Sequence, residues 1–197
     1  MLKKVPYHSK FLEVIEGLYL FFHYITLNRS NLNRTAESLN VKCLAPSRAG
    51  GTRWMPYTKK TTLERIWKMH AVFILLFGQM QQDSQTSGKI KNKALFFLKN
   101  LRTKHFITYG HHLTDIINIL STVSLTFQAT KCSVSEIHES VQSTVSVLTR
   151  LKGRPGPKLQ KVLDIDSFQG EMLTGQVISE KERVLVVDSL LESLDHR

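Results

Sequence analysis

The chain has 197 residues, of which 42% are hydrophobic and 22% are charged, and its formal net charge is +11. This length suffices for one domain with a real core. Residues 1–163 carry 24 lysines and arginines against 8 acidic residues, a balance of +16, whereas residues 164–197 carry 3 against 8, a balance of −5. A basic body with an acidic end predicts a polyanionic partner such as nucleic acid, with the acidic end as an intramolecular competitor. The alternative is a solvated basic surface that keeps the chain in solution.

The composition and the N-terminal sequence argue against secretion and against a membrane. Cys43 and Cys132 are too few for a disulfide framework, which favours a reducing compartment. The first apolar run is interrupted by Glu13 and Glu16, so it does not resemble a signal peptide. Neither this run nor residues 71–77 are long enough to span a bilayer. We expect a nuclear or cytoplasmic protein that is not secreted and has no membrane partner.

Helical periodicity recurs along the chain, and strand signals are weak. Residues 10–26 predict a largely buried helix, because apolar side chains recur at helical spacing. The polar stretch over residues 28–40 predicts a short helix with Arg29 and Arg34 on a basic side. A loop over residues 43–58 follows.

The next predicted helix is long, running from about residue 59 to residue 82. Thr61 and Glu64 fit a capping box, in which each side chain satisfies a backbone N–H group at the start of the helix. Residues 71–77 are apolar on every side, so we expect this part to be buried against several neighbours. The predicted inward face carries Leu63, Ile66, Trp67, His70, Ile74, Phe77 and Met80.

Three further helices are predicted in the second half of the body. After a polar linker over residues 81–89, apolar residues between 90 and 101 mark a helix with lysines largely opposite. The motif TYGHH, residues 108–112, predicts a break, and another helix covers about residues 112–129. The motif SVSE, residues 133–136, is a second capping box and opens the next helix.

The motif KGRPGPK, residues 152–158, is the clearest boundary, because its two prolines and two glycines stop regular structure. We divide the chain into a basic helical domain (1–152), a Pro/Gly linker (153–158) and an acidic C-terminal segment (159–197). A third capping box, SEKE at residues 179–182, opens an amphipathic helix. The predicted fold class is all-α, with five to six packed helices and a semi-detached C-terminal helix. The apolar stripe of that helix consists of Val184, Val187, Leu191 and Leu194.

The sequence lacks the usual catalytic and metal-binding patterns. Gly50 and Gly51 have neither the preceding strand nor the following GK[ST] motif of a phosphate-binding loop. There is no C-x-x-C, H-x-x-x-H or H-E-x-x-H motif, and the adjacent His111 and His112 are expected to be solvated or close to a helix cap. His70 lies on an apolar face and is expected to be a core histidine bonded to a neighbour. We therefore predict no catalytic residue, no metal and no cofactor.

One pair of residues suggests a ligand-binding site. Arg53 and Trp54 lie in a basic loop with flexible glycines, where the indole could stack on an unpaired base and the guanidinium could hold a phosphate. The alternative is that Trp54 anchors the loop in the core. The candidate nucleic-acid-binding residues are Arg29, Arg34, Arg48, Arg53, Trp54, Lys59 and Lys60.

A family resemblance rests on the first third of the chain. The stretch LYLFFHYITLNRSNLNRTAESLNVKCLAPSRAGGTRWMPYTKKTTLERIW, residues 18–67, resembles the transposon-derived proteins of the hAT superfamily, and among them the zinc finger protein 862-like group. In that group a stretch like LFFHYxxLNRSNL precedes a GGTRW segment that opens a helical region. The likeness covers roughly residues 11–70 and continues loosely to about residue 152.

The resemblance implies an RNase H-like transposase core interrupted by a helical insertion, with this chain falling mainly in the insertion. Active members cut DNA with three carboxylates that hold two divalent metals. The strands that carry the two aspartates, and a C-x-x-H segment near them, have no counterpart here, and no glutamate of this chain aligns with the third carboxylate. The resemblance thus implies the family's scaffold without its catalytic centre.

In active relatives the tryptophan of the RW pair stacks on a flipped base, and the matching positions here are Arg53 and Trp54. Met55 and Pro56 follow, where many transposases have a small polar residue two places after the tryptophan. We expect a non-catalytic, transposase-derived nuclear protein that binds DNA or a chromatin partner through its basic body. The alternative is a helical protein-interaction module without nucleic-acid binding. It would bind a partner or a second copy through the C-terminal helix or through residues 71–77.

Overall fold

The computed structural model describes residue 2 and residues 4–48, 56–128 and 133–195. Helices dominate these residues, which confirms the all-α class, and eight of them have 13 residues or more. The number exceeds the predicted five to six, partly because the long helix at residues 59–82 is divided in two. The elements are α1 (Pro6–His23), α2 (Thr26–Ser38), α3 (Pro56–Lys68), α4 (His70–Gln82), α5 (Gly88–Leu101), α6 (Lys104–Gln128), α7 (Val134–Gly153), α8 (Pro157–Gln160), β1 (Ser167–Phe168), β2 (Glu171–Met172) and α9 (Glu180–Asp195).

Helix α4 lies at the centre of the core, between α2 and α5. Its apolar residues are buried on several sides, as the unbroken apolar run predicted. Phe77 packs against Phe21 of α1 and Phe97 of α5, with ring centroids 5.6 Å and 5.1 Å away. Such aromatic pairs add specific geometry to the burial of apolar area. All seven residues of the predicted inward face are buried.

The predicted helix at residues 59–82 is divided at Met69, whose backbone (φ −99°, ψ 5°) leaves helical geometry. The β1–β2 hairpin, which the sequence did not predict, covers this junction. The side chain of Gln169 donates to the carbonyl of Trp67 and accepts from the N–H group of Ala71. One side chain therefore satisfies backbone groups of both helix ends, which lack intrahelical partners.

Helix α6 runs without interruption through residues 108–112, so the predicted break is wrong. Gly110 is a contact point and not a helix breaker. A Cβ atom at Gly110 would lie 2.3 Å from Cζ2 of Trp67, which only glycine avoids. The glycine thus allows the indole of α3 to pack directly on the α6 backbone.

Of the three predicted capping boxes, one forms completely. Ser133 Oγ accepts from the N–H group of Glu136, and the Glu136 carboxylate accepts from Ser133 N at 2.7 Å. At Ser179 only the serine half is made, with Ser179 Oγ accepting from Glu182 N at 3.2 Å. The box at Thr61 is wrong, because α3 already includes Pro56 and Thr61 lies inside the helix.

The C-terminal segment packs onto the helical body. Asp115 of α6 is 3% exposed and accepts from the N–H groups of Lys158 and Leu159, at the start of α8. Helix α9 packs against α7, and Val187 of its predicted stripe is fully buried. In the described part of the chain, α9 is therefore not semi-detached. Val184 and Leu191 are half-buried, and the side chain of Leu194 lies outside the described residues.

Candidate functional site

The buried histidines are structural groups. His70 Nε2 lies 2.9 Å from the Leu101 carbonyl oxygen, which confirms the predicted core histidine. The prediction of solvated side chains at His111 and His112 is wrong, because both are buried. Burial lowers the pKa of all three histidines, that of His112 to about 4, so they are neutral at pH 7. Among the described residues, no cluster of histidine, cysteine and acidic side chains could hold a metal ion.

A polar cluster joins α1, α6 and α9. The ring of Tyr7 stacks on His105 with centroids 4.0 Å apart, and His105 Nε2 lies 2.7 Å from the Glu182 carboxylate. On the same side, His8 Nδ1 is 3.0 Å from the hydroxyl oxygen of Tyr109. Burial raises the pKa of Tyr7 to about 12 and also raises that of Tyr109. Both hydroxyls stay protonated at neutral pH, and the contacts of the cluster tie three helices together.

The predicted RW pair cannot be placed on the fold. Arg53 and Trp54 lie outside the described residues. Lys59 belongs to α3, and its side chain is likewise outside the description. Stacking on Trp54 therefore stays a prediction.

Two of the predicted residues lie beside a contact between the segment over residues 41–48 and α3. Ser47 Oγ lies 2.8 Å from Thr62 Oγ1 and fixes the end of the segment over residues 41–48. Arg48 is exposed directly after Ser47, and Lys60 is half-exposed on α3. These two cations have a defined position at the entrance to the undescribed loop.

Arg29 and Arg34 are both exposed on α2. They are five positions apart, which separates them by about 140° around a helix, so they face different sides. Arg29 lies near Cys43, whose thiol pKa is raised by burial and lowered by the guanidinium charge. Arg34 lines a groove of about 250 Å³ between α2 and the end of α4, together with Asp83. The predicted arginines thus do not form a single patch.

The acidic residues of the C-terminal segment make every ion pair found in the described part of the chain. The basic partners come from the N-terminal residues, α6, α7 and the turn before α6. This arrangement pairs much of the acidic end with the basic body inside one molecule. The pairs are Lys4–Glu192, Arg102–Glu171, Lys104–Asp166, His105–Glu182 and Lys152–Asp188.

Helix α5 carries exposed lysines that the predicted site omitted. Lys89, Lys93 and Lys99 are exposed, and none of them takes part in an ion pair with another described residue. The helix sequence GKIKNKALFFLKNL has no acidic residue. The lysines opposite the apolar face were visible in the sequence. What the sequence did not show is that the acidic segment pairs elsewhere.

An open groove of about 560 Å³ lies between α1 and α5. Phe21, Phe96 and Phe97 are among the residues that line it, so it is largely apolar. Its rim carries Tyr24, which is 74% exposed, and Leu20, which is 47% exposed. Large apolar side chains exposed next to one another are typical of interaction surfaces.

No family model matches the chain, and no solved structure is significantly similar to it. The resemblance to the hAT superfamily therefore stays a prediction. Among the helices that the structure describes, none is both long enough and apolar enough to cross a bilayer.

Proposed function

We propose that the chain is a non-catalytic helical binding domain, derived from a hAT-superfamily transposase, that binds nucleic acid in the nucleus. The binding surface is the exposed part of α5, with Lys89 and Lys93 on one side of the helix and Lys99 about 120° further round. The observation that carries the proposal is the distribution of ion pairs: the acidic segment pairs with residues around α6 and α7 and leaves α5 uncompensated. Lysine side chains that keep their charge free can replace counterions on phosphates.

The geometry of α5 suits a phosphate backbone. A helix of 14 residues is about 21 Å long, which corresponds to roughly six base pairs of B-form DNA. Lys89 and Lys93 are one turn apart, so their ammonium groups lie on the same side of the helix. Arg29 and Arg34 of α2 extend the basic character of the molecule beyond α5.

The non-catalytic part of the proposal rests on the sequence comparison with the transposases. Two-metal cleavage of a DNA strand needs several carboxylates around the metals. The catalytic carboxylates of the resembled enzymes have no matching positions in this chain. Plasmid cleavage in the presence of Mg²⁺ or Mn²⁺, abolished by a single Asp or Glu substitution, would contradict this part.

The nucleic-acid proposal is tested by fluorescence anisotropy with a labelled duplex of 20 base pairs and a DNA hairpin, at 50 and 200 mM salt. We expect the affinity to fall steeply between the two salt concentrations. The triple variant Lys89→Glu, Lys93→Glu and Lys99→Glu should lose at least about 10-fold in affinity at low salt and flatten the salt dependence.

A matched control changes the same net charge at another surface. The exposed residues Arg154, Lys161 and Lys181 are replaced by glutamate in one variant. This variant should lose clearly less affinity than the α5 variant. Equal losses would mean that only net charge matters, and absence of binding by the parent chain at 50 mM salt would end the proposal.

A second function, binding of a partner protein, is favoured by the apolar groove between α1 and α5. The surfaces predicted for this function offer little apolar area. The residues 71–77 are largely buried, and Val187 of α9 is covered by the chain itself. Self-association through α9 would have to use residues such as Leu185, which is 37% exposed. Sedimentation of the full chain is expected to show a monomer, and a stable dimer would favour the self-association alternative.

A further inference from the structure

We propose that the α1–α5 groove binds an amphipathic helix of a partner protein whose acidic side faces α5. The proposal does not depend on nucleic-acid binding, because it rests on the shape and the apolar lining of the groove. It gives the chain a protein partner of defined chemistry, at a groove that has Lys93 in common with the proposed nucleic-acid surface.

The lining selects an apolar occupant. Phe21 and Phe97 are buried in the floor, while Leu20, Tyr24 and Ile25 stand 47%, 74% and 39% exposed along one wall. Their contact with water is unfavourable, and covering them with apolar side chains would stabilise a complex. A phosphate group placed here would find few polar groups to replace its hydration.

The walls fit a helix. On α1 the lining residues Gly17, Leu20 and Tyr24 recur at three- and four-residue spacing, which gives a continuous ridge on one side. A Cβ atom at Gly17 would lie 3.1 Å from Cε1 of Phe97, so the glycine lets the two helices approach closely at the floor. The lining from residue 13 to residue 25 is about 18 Å long, enough for three helical turns with apolar anchors at i, i+3 or i+4, and i+7.

The charged residues at the rim favour a partner helix that carries acidic side chains toward α5. Lys93 and Asn92 line the groove from α5, and Lys89 lies one helical turn before Lys93 on the same side of this helix, which has no acidic residue. Glu13 lines the groove from α1. A partner helix with acidic side chains toward α5, and a basic one toward Glu13, would match both walls. A nucleic acid strand lying inside the groove would bring phosphates close to Glu13, so the groove itself favours a protein.

The test uses two labelled synthetic peptides of 16 residues with identical leucines at i, i+3 and i+7. One carries glutamates beside the leucine stripe, and the other carries lysines at those positions. We expect the glutamate peptide to bind the full chain with a Kd in the micromolar range and the lysine peptide to bind at least about 10-fold more weakly. Equal affinities, or no binding of either peptide, would overturn the proposal.

Variants locate the binding. Leu20→Asp changes an exposed side chain, so the fold should persist, and it should weaken the glutamate peptide at least about 10-fold. The matched control Leu125→Asp alters a leucine that is 68% exposed on α6 and outside the groove, and it should have no effect. Circular dichroism verifies that both variants fold. An unchanged affinity of Leu20→Asp would contradict the assignment.

Neutral variants separate this proposal from the nucleic-acid proposal. The neutral variant Leu20→Asn should weaken the glutamate peptide and leave the affinity for the DNA duplex unchanged, because it alters no charge. Tyr24→Ala is tested with a single-stranded oligonucleotide as well as with the peptide. If the oligonucleotide displaces the peptide and Tyr24→Ala abolishes its binding, the groove is a base-stacking surface and the protein-partner proposal is wrong.

Discussion

Trp67 of α3 lies directly on Gly110 of α6, and the indole is so close that a Cβ atom would come within 2.3 Å of Cζ2. The same indole stacks on His111, with ring centroids 4.6 Å apart. Trp67 therefore packs on both the backbone and a side chain of α6. This contact couples the two helices on which the C-terminal hairpin is placed.

Gly110→Ala should destabilise the protein by about 2 kcal/mol, because the added methyl group must displace Trp67 or the α6 backbone. Chemical denaturation monitored by circular dichroism measures the effect. Gly78→Ala is the matched control, since a Cβ atom at this helical glycine meets nothing within 4 Å. It should be neutral or stabilising by up to about 1 kcal/mol. If both variants change the free energy of unfolding equally, the contact with Trp67 does not explain why position 110 requires glycine.

Asp115→Ala should destabilise the protein by about 3 kcal/mol. The carboxylate accepts from the N–H groups of Lys158 and Leu159 at 3.0 Å and 2.9 Å, and its loss leaves these donors without partners in a buried place. Asp164→Ala removes an exposed carboxylate nearby in the sequence and should change stability by less than about 0.5 kcal/mol. A small effect at Asp115 would show that water replaces the carboxylate.

Stability should fall as the pH drops from about 6.5 toward 4. The pKa of His112 is about 4 in the folded chain and 6.5 ordinarily, so in this window the unfolded chain binds more protons than the folded one. His112 alone accounts for up to about 3 kcal/mol of stability that is present above pH 6.5 and lost on acidification. His70 and His111, whose pKa values are also lowered, act in the same direction.

The pH prediction is checked by denaturant titrations between pH 4 and pH 8. His112→Leu should flatten the pH dependence of the free energy of unfolding. His138→Gln changes an exposed histidine of α7 and should leave the profile as it is. If both variants change the pH dependence of the free energy of unfolding equally, His112 is not the cause of that dependence.

Neutralising the acids that pair with the body should strengthen binding to DNA, if the proposed function holds. The triple variant Asp166→Asn, Glu171→Gln and Asp188→Asn frees Lys104, Arg102 and Lys152. We expect about a 10-fold gain in affinity at 50 mM salt that shrinks as salt increases. The control variant makes the same change in net charge through Glu37→Gln, Glu64→Gln and Glu139→Gln, at exposed acids that form no ion pair with another described residue. Equal gains would show that the pairs do not restrict access.

The sequence predicted the core well because apolar periodicity reports burial directly. The seven residues of the face from Leu63 to Met80 are buried as expected. The capping box at Ser133 and Glu136 could be predicted because its partners are three positions apart. At Thr61 the same pattern failed, since a motif of four residues does not fix where a helix begins.

Features that depend on distant contacts escaped prediction. A glycine within an apolar pattern usually suggests an interruption, and only the position of Trp67 explains why Gly110 continues α6. At the division at Met69, both helix ends bond to Gln169, which lies far along the chain in a segment with weak strand signals. His111 and His112 were expected outside because the false break placed them near a helix end.

The candidate surfaces were only partly visible in the sequence. The charge difference between body and end was evident, and so were the lysines of α5. The pairing of the acidic segment with Arg102, Lys104 and Lys152 needed the tertiary structure. The α1–α5 groove is made of residues that each look like ordinary helix positions, and only the packing around Gly17 and Phe97 forms it.

The link from Gln169 to the α3–α4 junction has a consequence for synthesis. Gln169 lies 102 positions after Trp67 in the chain. At the usual rate of translation, Gln169 is synthesised roughly 5–20 s after the residues of the two helix ends. During that interval, water must form the hydrogen bonds to the Trp67 carbonyl and the Ala71 N–H group that Gln169 later forms. The junction is therefore completed late, and the order in which the chain is made delays its closure until the hairpin has emerged.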